Sequence, residues 1–293
     1  MLALFSKSRD AFEIPRSEEV ATIEQKFQNE YFGDPERILL AKRSTNLWML
    51  LKDDRRFAFQ GRIVLLSEPG EDMVEIMVAL AKLQGGSVCN YFPKIHAQKA
   101  ISDLESQGLG VVEHDHLRGT KACLDASLKT LETFALPEDI SITVIDETTS
   151  PQFVSEVVEM SEKCGVMSVP GWVMRGTGPK GVFLVAQNSA GEPVACAGSF
   201  MCHPENSSHA KDAFWGMLAT RSDRRGQGLA CLLGAKAIVH MWEVHDARGF
   251  ITGVSADNLS SKALCKKMGL LNSDWQYLSC IDHTIFGGDS ITK

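Results

Sequence analysis

The 293-residue chain reads as an α/β (α+β) protein built in two parts, and length, composition and element alternation all point there. At about 150 residues per domain, the length is most simply two domains, placed here at 1–136 and 137–293. Hydrophobic residues make up 44% and charged residues 23%, so each part can build its own core. Apolar spacing then alternates between strand-like runs and helical faces along most of the chain.

The first part opens with amphipathic stretches that predict helices over 18–31 and 34–52. Arg62-Ile63-Val64-Leu65-Leu66 reads as a buried strand, followed by a turn at Ser67-Glu68-Pro69-Gly70. Met73, Val74, Ile76, Met77 and Leu80 give 72–83 a helical face that ends at Gly85-Gly86. A strand over 87–92, a helix over 97–106 stopped by Gly108, and a strand over 109–112 complete an α/β alternation. One more helix covers 120–135, and Leu136-Pro137-Glu138-Asp139 breaks the pattern.

The second part starts with a strand over 140–145. Ser150-Pro151 is a helix start, a capping hydroxyl followed by proline at the first helical position. The segment 166–180 is rich in glycine and proline and reads as loop or short helix. Strands over 181–187 and 193–201 are joined by Asn188-Ser189-Ala190-Gly191, a hairpin composition. Then follow a strand over 212–220, a long apolar helix over 228–244, a strand over 249–254, a helix over 259–268 and a last strand over 275–281.

The sharpest chemical signal lies between the 212–220 strand and the long helix, at Thr220-Arg221-Ser222-Asp223-Arg224-Arg225-Gly226-Gln227-Gly228-Leu229-Ala230. Glycines let the backbone turn tightly and approach a ligand. The helix that follows offers unpaired amides and the positive end of its dipole, a site for a phosphate or pyrophosphate. A basic loop that only caps its helix would look much the same. The spacing is neither the GxxxxGK[ST] of a P-loop nor GxGxxG.

Together with the strand Phe250-Ile251-Thr252-Gly253-Val254 and the helix Asn258-Leu259-Ser260-Ser261-Lys262-Ala263-Leu264-Cys265-Lys266-Lys267-Met268-Gly269-Leu270, this loop resembles the GNAT superfamily of acyl-CoA-dependent N-acetyltransferases. The resemblance covers residues 140–285, about half the chain. It implies a GNAT fold: a mixed central sheet flanked by helices, with a second, smaller α/β domain at the N-terminus. It also implies acetyl-CoA as co-substrate, bound where the strands near 212–220 and 249–255 splay apart. The backbone of Leu218, Ala219 and Thr220 would then pair with the pantetheine arm. The amides of Arg225, Gly226, Gln227, Gly228, Leu229 and Ala230 would hold the pyrophosphate. Asn258 would bond the pantetheine or phosphate region. Lys262 and Lys266 would meet a 3′-phosphate, or form a solvated basic face.

Two positions depart from the family pattern. Asp223 stands where a Gln or Arg is common. Cys265 stands where many members carry a tyrosine that protonates the departing thiolate, so its thiol is either that acid or a small packing residue. Asp212, at a strand start, is the candidate general base or else an exposed carboxylate, with His203 and His209 next in line. Trp172 and Arg175 fall in the segment that covers the acceptor pocket in this family. They would grip an apolar or carboxylate-bearing acceptor, unless Trp172 simply closes the core.

The run 62–112 repeats the element order of 212–281 in shortened form. The expectation is a degenerate GNAT-like half without a cofactor site, completing the sheet and walling the acceptor cleft; an unrelated α/β domain is the alternative. Glu68, Glu71 and Asp72 at its helix start would repel a pyrophosphate. His114 and His116 have the look of a metal patch or of an exposed strand end. No metal is expected, because the eight cysteines show no CxxC or zinc spacing. Such cysteines read as core thiols in a reducing compartment, and a cytoplasmic location follows. The formal charge of −7 argues against nucleic acid as partner, and no apolar run is long enough for a membrane span. The start of the chain lacks the pattern of a signal peptide.

The sequence thus predicts an N-acetyltransferase that moves an acetyl group to a primary amine of a small molecule or peptide by direct attack in a ternary complex. The acidic balance mildly favours a cationic acceptor. A non-catalytic acyl-CoA-binding regulator is the alternative, and the oligomeric state, a homodimer included, is left open.

Overall fold

A computed structural model describes residues 30–288. Most of the helix expected over 18–31 lies outside them. Helix α1 (Pro35–Leu51) starts where Asp34 accepts hydrogen bonds from the Glu36 and Arg37 amides and proline takes the first turn. A short hairpin, β1 (Phe57–Phe59) and β2 (Val64–Leu66), leads into α2 (Met73–Gln84), β3 (Gly86–Pro93), α3 (Ala97–Ser106), β4 (Gly110–Gly119) and α4 (Lys121–Thr133). The second part contains β5 (Ser141–Val144), α5 (Pro151–Lys163) and the single turn α6 (Gly171–Met174). It continues with β6 (Gly181–Gln187), β7 (Pro193–Met201), β8 (Asp212–Thr220), α7 (Leu229–Val244), β9 (Gly249–Val254), α8 (Leu259–Lys267) and β10 (Leu271–Ile281). Ser150 caps α5 as its sequence predicts, its hydroxyl accepting from the Phe153 amide.

The ten strands of the described residues form one mixed sheet in the order β1-β2-β3-β10-β4-β9-β8-β7-β6-β5. The middle of that order interleaves the two halves of the chain. β10, the last strand, lies antiparallel between β3 and β4, and β4 lies antiparallel between β10 and β9. Each half therefore lends one strand to the other, and the sheet runs unbroken across the boundary placed at 136/137.

Two apolar layers close the sheet. On one face Trp215, Leu233, Ile238, Met241 and Phe250 pack α7 against the strands. On the other, Phe59, Met77, Leu104, Val157, Val185 and Leu278 join α2, α3 and α5. Each fully buried side chain of this size contributes about 1.5–3 kcal/mol. Of the eight cysteines, only Cys164 is not fully buried, in keeping with their reading as core thiols. Among the described residues, no helix is long and apolar enough to cross a membrane.

Three elements differ from expectation. β1 was not foreseen, β10 begins at Leu271 rather than 275, and β4 runs to Gly119 rather than ending near 112. His114 and His116 are therefore buried inside a central strand, 3% and 0% exposed, and neither marks an exposed strand end. The apolar signal stops at Val112 because the rest of β4 satisfies polar side chains by tertiary contacts. Asp115 pairs with Lys262, Arg118 with Asp212, and the His116 ring with the Ser273 hydroxyl.

Candidate active site

β8 and β9 run parallel but pair only at Asp212–Gly249, Ala213–Phe250 and Phe214–Ile251. Beyond Phe214 they part, leaving the β9-facing edge of residues 215–220 without a strand partner. On the other edge, Ala197 of β7 faces both Met217 and Leu218, a β-bulge. Met217 adopts φ of 55°, a left-handed conformation that a methionine takes only when its surroundings impose it. The Cys196 thiol donates to the Met217 carbonyl at 3.2 Å and satisfies a group that the bulge turns away from the ladder.

The parted strands open onto a cavity of about 650 Å³. Leu218, Ala219 and Thr220 line one wall. Arg225, Gly226, Gly228, Leu229 and Ala230 line its end, where α7 begins, and Asn258 and Cys265 of the α8 region close the far side. Gly226 and Gly228 hold φ of +79° and +76°, and a Cβ on Gly228 would stand 2.6 Å from the Phe134 ring. The turn therefore needs glycine both for its backbone and for the close passage of α4's end. The first amides of α7 have no carbonyl one turn back to bond, so they point out of the helix toward this end of the cavity.

Charge at the loop is less available than its three arginines suggest. Arg221 pairs with Asp223 at 2.7 Å and with Glu192 at 3.2 Å, and Arg224 pairs with Asp139. Arg225 donates to the Thr220 carbonyl and makes no ion pair among the described residues. Asn258 is the N-cap of α8, its Oδ1 accepting from the Ser261 amide at 3.1 Å. Sequence reading gave it a ligand role only; the cap holds the same side chain at the cavity wall.

The remaining candidates lie elsewhere. Lys262 does not line the cavity and bonds Asp115 at 2.6 Å, tying α8 to β4. Gln227 is exposed beyond it. Arg175 has a fully buried side chain held by Glu30 at 2.7 Å and by the Asp146 and Thr149 carbonyls, which ties the loop together. Trp172 stacks on Phe59 with ring centroids 5.8 Å apart and belongs to the core.

Asp212 stands at the opposite end of β8, beside a separate cavity of about 420 Å³. It accepts from Arg118 at 2.8 and 2.9 Å and from the Tyr91 hydroxyl at 2.6 Å. Burial pushes its pKa up, but the Arg118 and Tyr91 hydrogen bonds outweigh that and leave it below the usual carboxylate range. A carboxylate so held is a poor proton acceptor. His209 stacks on Tyr91 at 3.5 Å, and His203 is buried beside Cys202, its pKa pushed down to about 4 by desolvation.

Cys265 does face the main cavity, and burial pushes its thiol up to about 12. Among the described residues, no cluster of three or more His, Cys, Asp or Glu could hold a metal ion. What sequence reasoning missed is the contribution of the first half. Gln60, Arg62 and His114 line the same cavity, together with Tyr277 and Ser279 of β10. His114 is the single imidazole among the lining residues, its Nδ1 has no partner, and desolvation lowers its pKa below the usual value. No local motif marks these side chains; only the strand exchange brings them to β8.

A parted parallel strand pair, a bulge at the parting and a glycine-entered helix meet at this cavity. The acetyltransferase (GNAT) family model matches residues 152–270, and that segment belongs to the GNAT superfamily. A tandem GNAT protein from the clavulanic acid biosynthesis pathway has a similar structure, with 12% identity and a TM-score of 0.50, covering 75% of this chain and 74% of that one. A Drosophila protein solved by a structural genomics consortium is 14% identical with a TM-score of 0.51, covering 90% and 96%. At such identities the likeness is one of fold. No curated protein matches the chain by sequence.

Proposed function

We propose that the protein is an N-acyltransferase that moves an acetyl group from acetyl-CoA to a primary amine of a small molecule or peptide in a ternary complex. The single observation that carries this reading is the parting of β8 from β9 beside the bulge at Met217–Leu218, aligned with the free amides of α7. The residues fit the co-substrate: an unpaired strand edge suits the amide-bearing pantetheine arm, and the glycine turn leaves room for a diphosphate. Acetyl-CoA supplies an acyl group activated as a thioester.

The chain's part is to position, to polarise and to move protons. The Leu218 amide, freed by the parting, would donate to the carbonyl oxygen as negative charge develops there. A neutral amine attacks the acyl carbon, the C–N bond forms as the C–S bond breaks, and the thiolate leaves. The amine's surplus proton goes to His114, which burial keeps neutral and therefore able to accept it. The thiolate takes its proton from water, because the Cys265 thiol near 12 is a reluctant donor.

The second reading, an acyl-CoA-binding regulator without turnover, draws on Cys265 in place of an acidic phenol and on Asp212 being locked by Arg118. Calorimetry with acetyl-CoA, followed by thiol release over an amine panel, separates the two. Uptake with release supports the enzyme, uptake with no release from any amine supports the regulator, and no uptake removes both.

A further inference from the structure

One side of the cavity carries a cation that no carboxylate neutralises among the described residues. Arg62 stands in the tight turn between β1 and β2, closed by the Gln60 amide donating to the Ile63 carbonyl. It is 5% exposed and lines the main cavity. Both hydrogen bonds its guanidinium makes leave from Nη1, one to the Met167 carbonyl and one, at 3.3 Å, to Sδ of Met217. Nε has no partner, and no carboxylate pairs with the group among the described residues. A buried, unpaired guanidinium is expensive, and such groups ordinarily face an anion.

The rest of the lining agrees. Among the described residues no Asp or Glu lines the cavity to hold a second positive charge on the acceptor. This lining favours an acceptor that carries an anionic group over the cationic one suggested by the chain's net charge. Met217, which Arg62 touches, is the bulge residue next to Leu218, so the cation stands beside the point where β8 leaves β9. Gln60 Nε2 donates to the Tyr277 hydroxyl at 3.2 Å, and the two buried polar side chains face the same space.

We infer that the acceptor is a small amino acid, its carboxylate received by Arg62 while its amino group faces the acyl carbon at Leu218. The inference rests on the acyl-CoA reading above and adds the substrate class. Arginine suits the role because its planar fork matches a carboxylate through two parallel N–H donors.

The test needs no variant at first. The protein saturated with CoA is titrated calorimetrically with the twenty amino acids and with the corresponding carboxamides, and the same pairs are offered with acetyl-CoA in a thiol-release assay. At least one amino acid should bind about 10- to 100-fold more tightly than its amide, the difference expected when a charge-assisted pair is lost. Arg62→Met should abolish that preference, with Arg62→Lys keeping part of it; CoA uptake by each variant reports that it is folded. If CoA is taken up but no ligand gains from its carboxylate, in binding or in release, the assignment to Arg62 is wrong. If CoA itself is not taken up, the acyl-CoA reading fails first, and the two failures are thereby told apart.

Discussion

At the scale of single residues, His114 has the part of the base in the proposed reaction, and Asp212 is a clamp between strands. His114 follows a glutamate in a polar run that looks like a strand end, yet it is enclosed beside the parted strands. His114→Gln is expected to lower kcat by about 10²- to 10⁴-fold, the usual worth of a positioned base. Because burial holds the His114 pKa below the ordinary imidazole range, the wild-type pH–rate profile should stay flat through that range and lose activity only on further acidification, and the variant should lack that limb. Asp212 begins an apolar strand that points to catalysis, yet it clamps β8 to Arg118 of β4 and Tyr91 of β3. Its folded pKa is depressed, so the stability it supplies is full above the ordinary value of about 3.9 and is lost as pH falls through the folded pKa. Asp212→Asn should cost about 1–3 kcal/mol in urea unfolding at pH 7, since Arg118 is partly exposed and can recover water. The same variant should flatten the acid limb of stability and leave kcat nearly unchanged.

At the scale of elements, the start of α7 shows how one turn combines two demands. Positive φ at Gly226 and Gly228 aims the first amides of the helix outward, while the missing side chain at Gly228 lets the Phe134 ring pass. At Gly226 a Cβ would meet nothing within 4 Å, so an alanine there suffers only the backbone strain, about 1 kcal/mol. Gly228→Val adds the collision with Phe134 and should weaken CoA binding at least about 30-fold by calorimetry, as the amides move off the diphosphate. Gly226→Ala should lose much less. The acidic turn ahead of α2 follows the opposite logic. Glu68 accepts from the Ser207 and Ser208 hydroxyls and pairs with Arg55 at 2.6 Å, so it fastens the two halves together instead of receiving a ligand.

At the scale of the molecule, the exchange of β4 and β10 makes the two halves dependent on each other. Residues 137–293 alone would lack β4, leaving β9 with an open edge and β10 with neither neighbour. Open central edges invite association with other chains. That fragment is expected to be insoluble or unfolded by circular dichroism when expressed alone, and to become soluble on coexpression with 1–136. The exchange also explains why part of the cavity wall is built from the first half. Arg62, Gln60 and His114 reach the groove through the hairpin and through β4, which stands beside β9.

The amino-acid sequence by itself determined the elements with strong local signals and the glycine turn at the end of the groove. The cap at Ser150, the hairpin at 188–191, the glycine turn and the Asn258 helix each depend on neighbours a few residues apart, where spacing and propensity decide. The polar half of β4, the pairing partners of Arg175 and Lys262, and the first half's share of the cavity wall were decided only by tertiary structure. Arg62 and Met217 are 155 positions apart, and no local pattern encodes their contact. It exists because two strands cross between halves, and long-range pairing of that kind is set by the packing of the complete sheet.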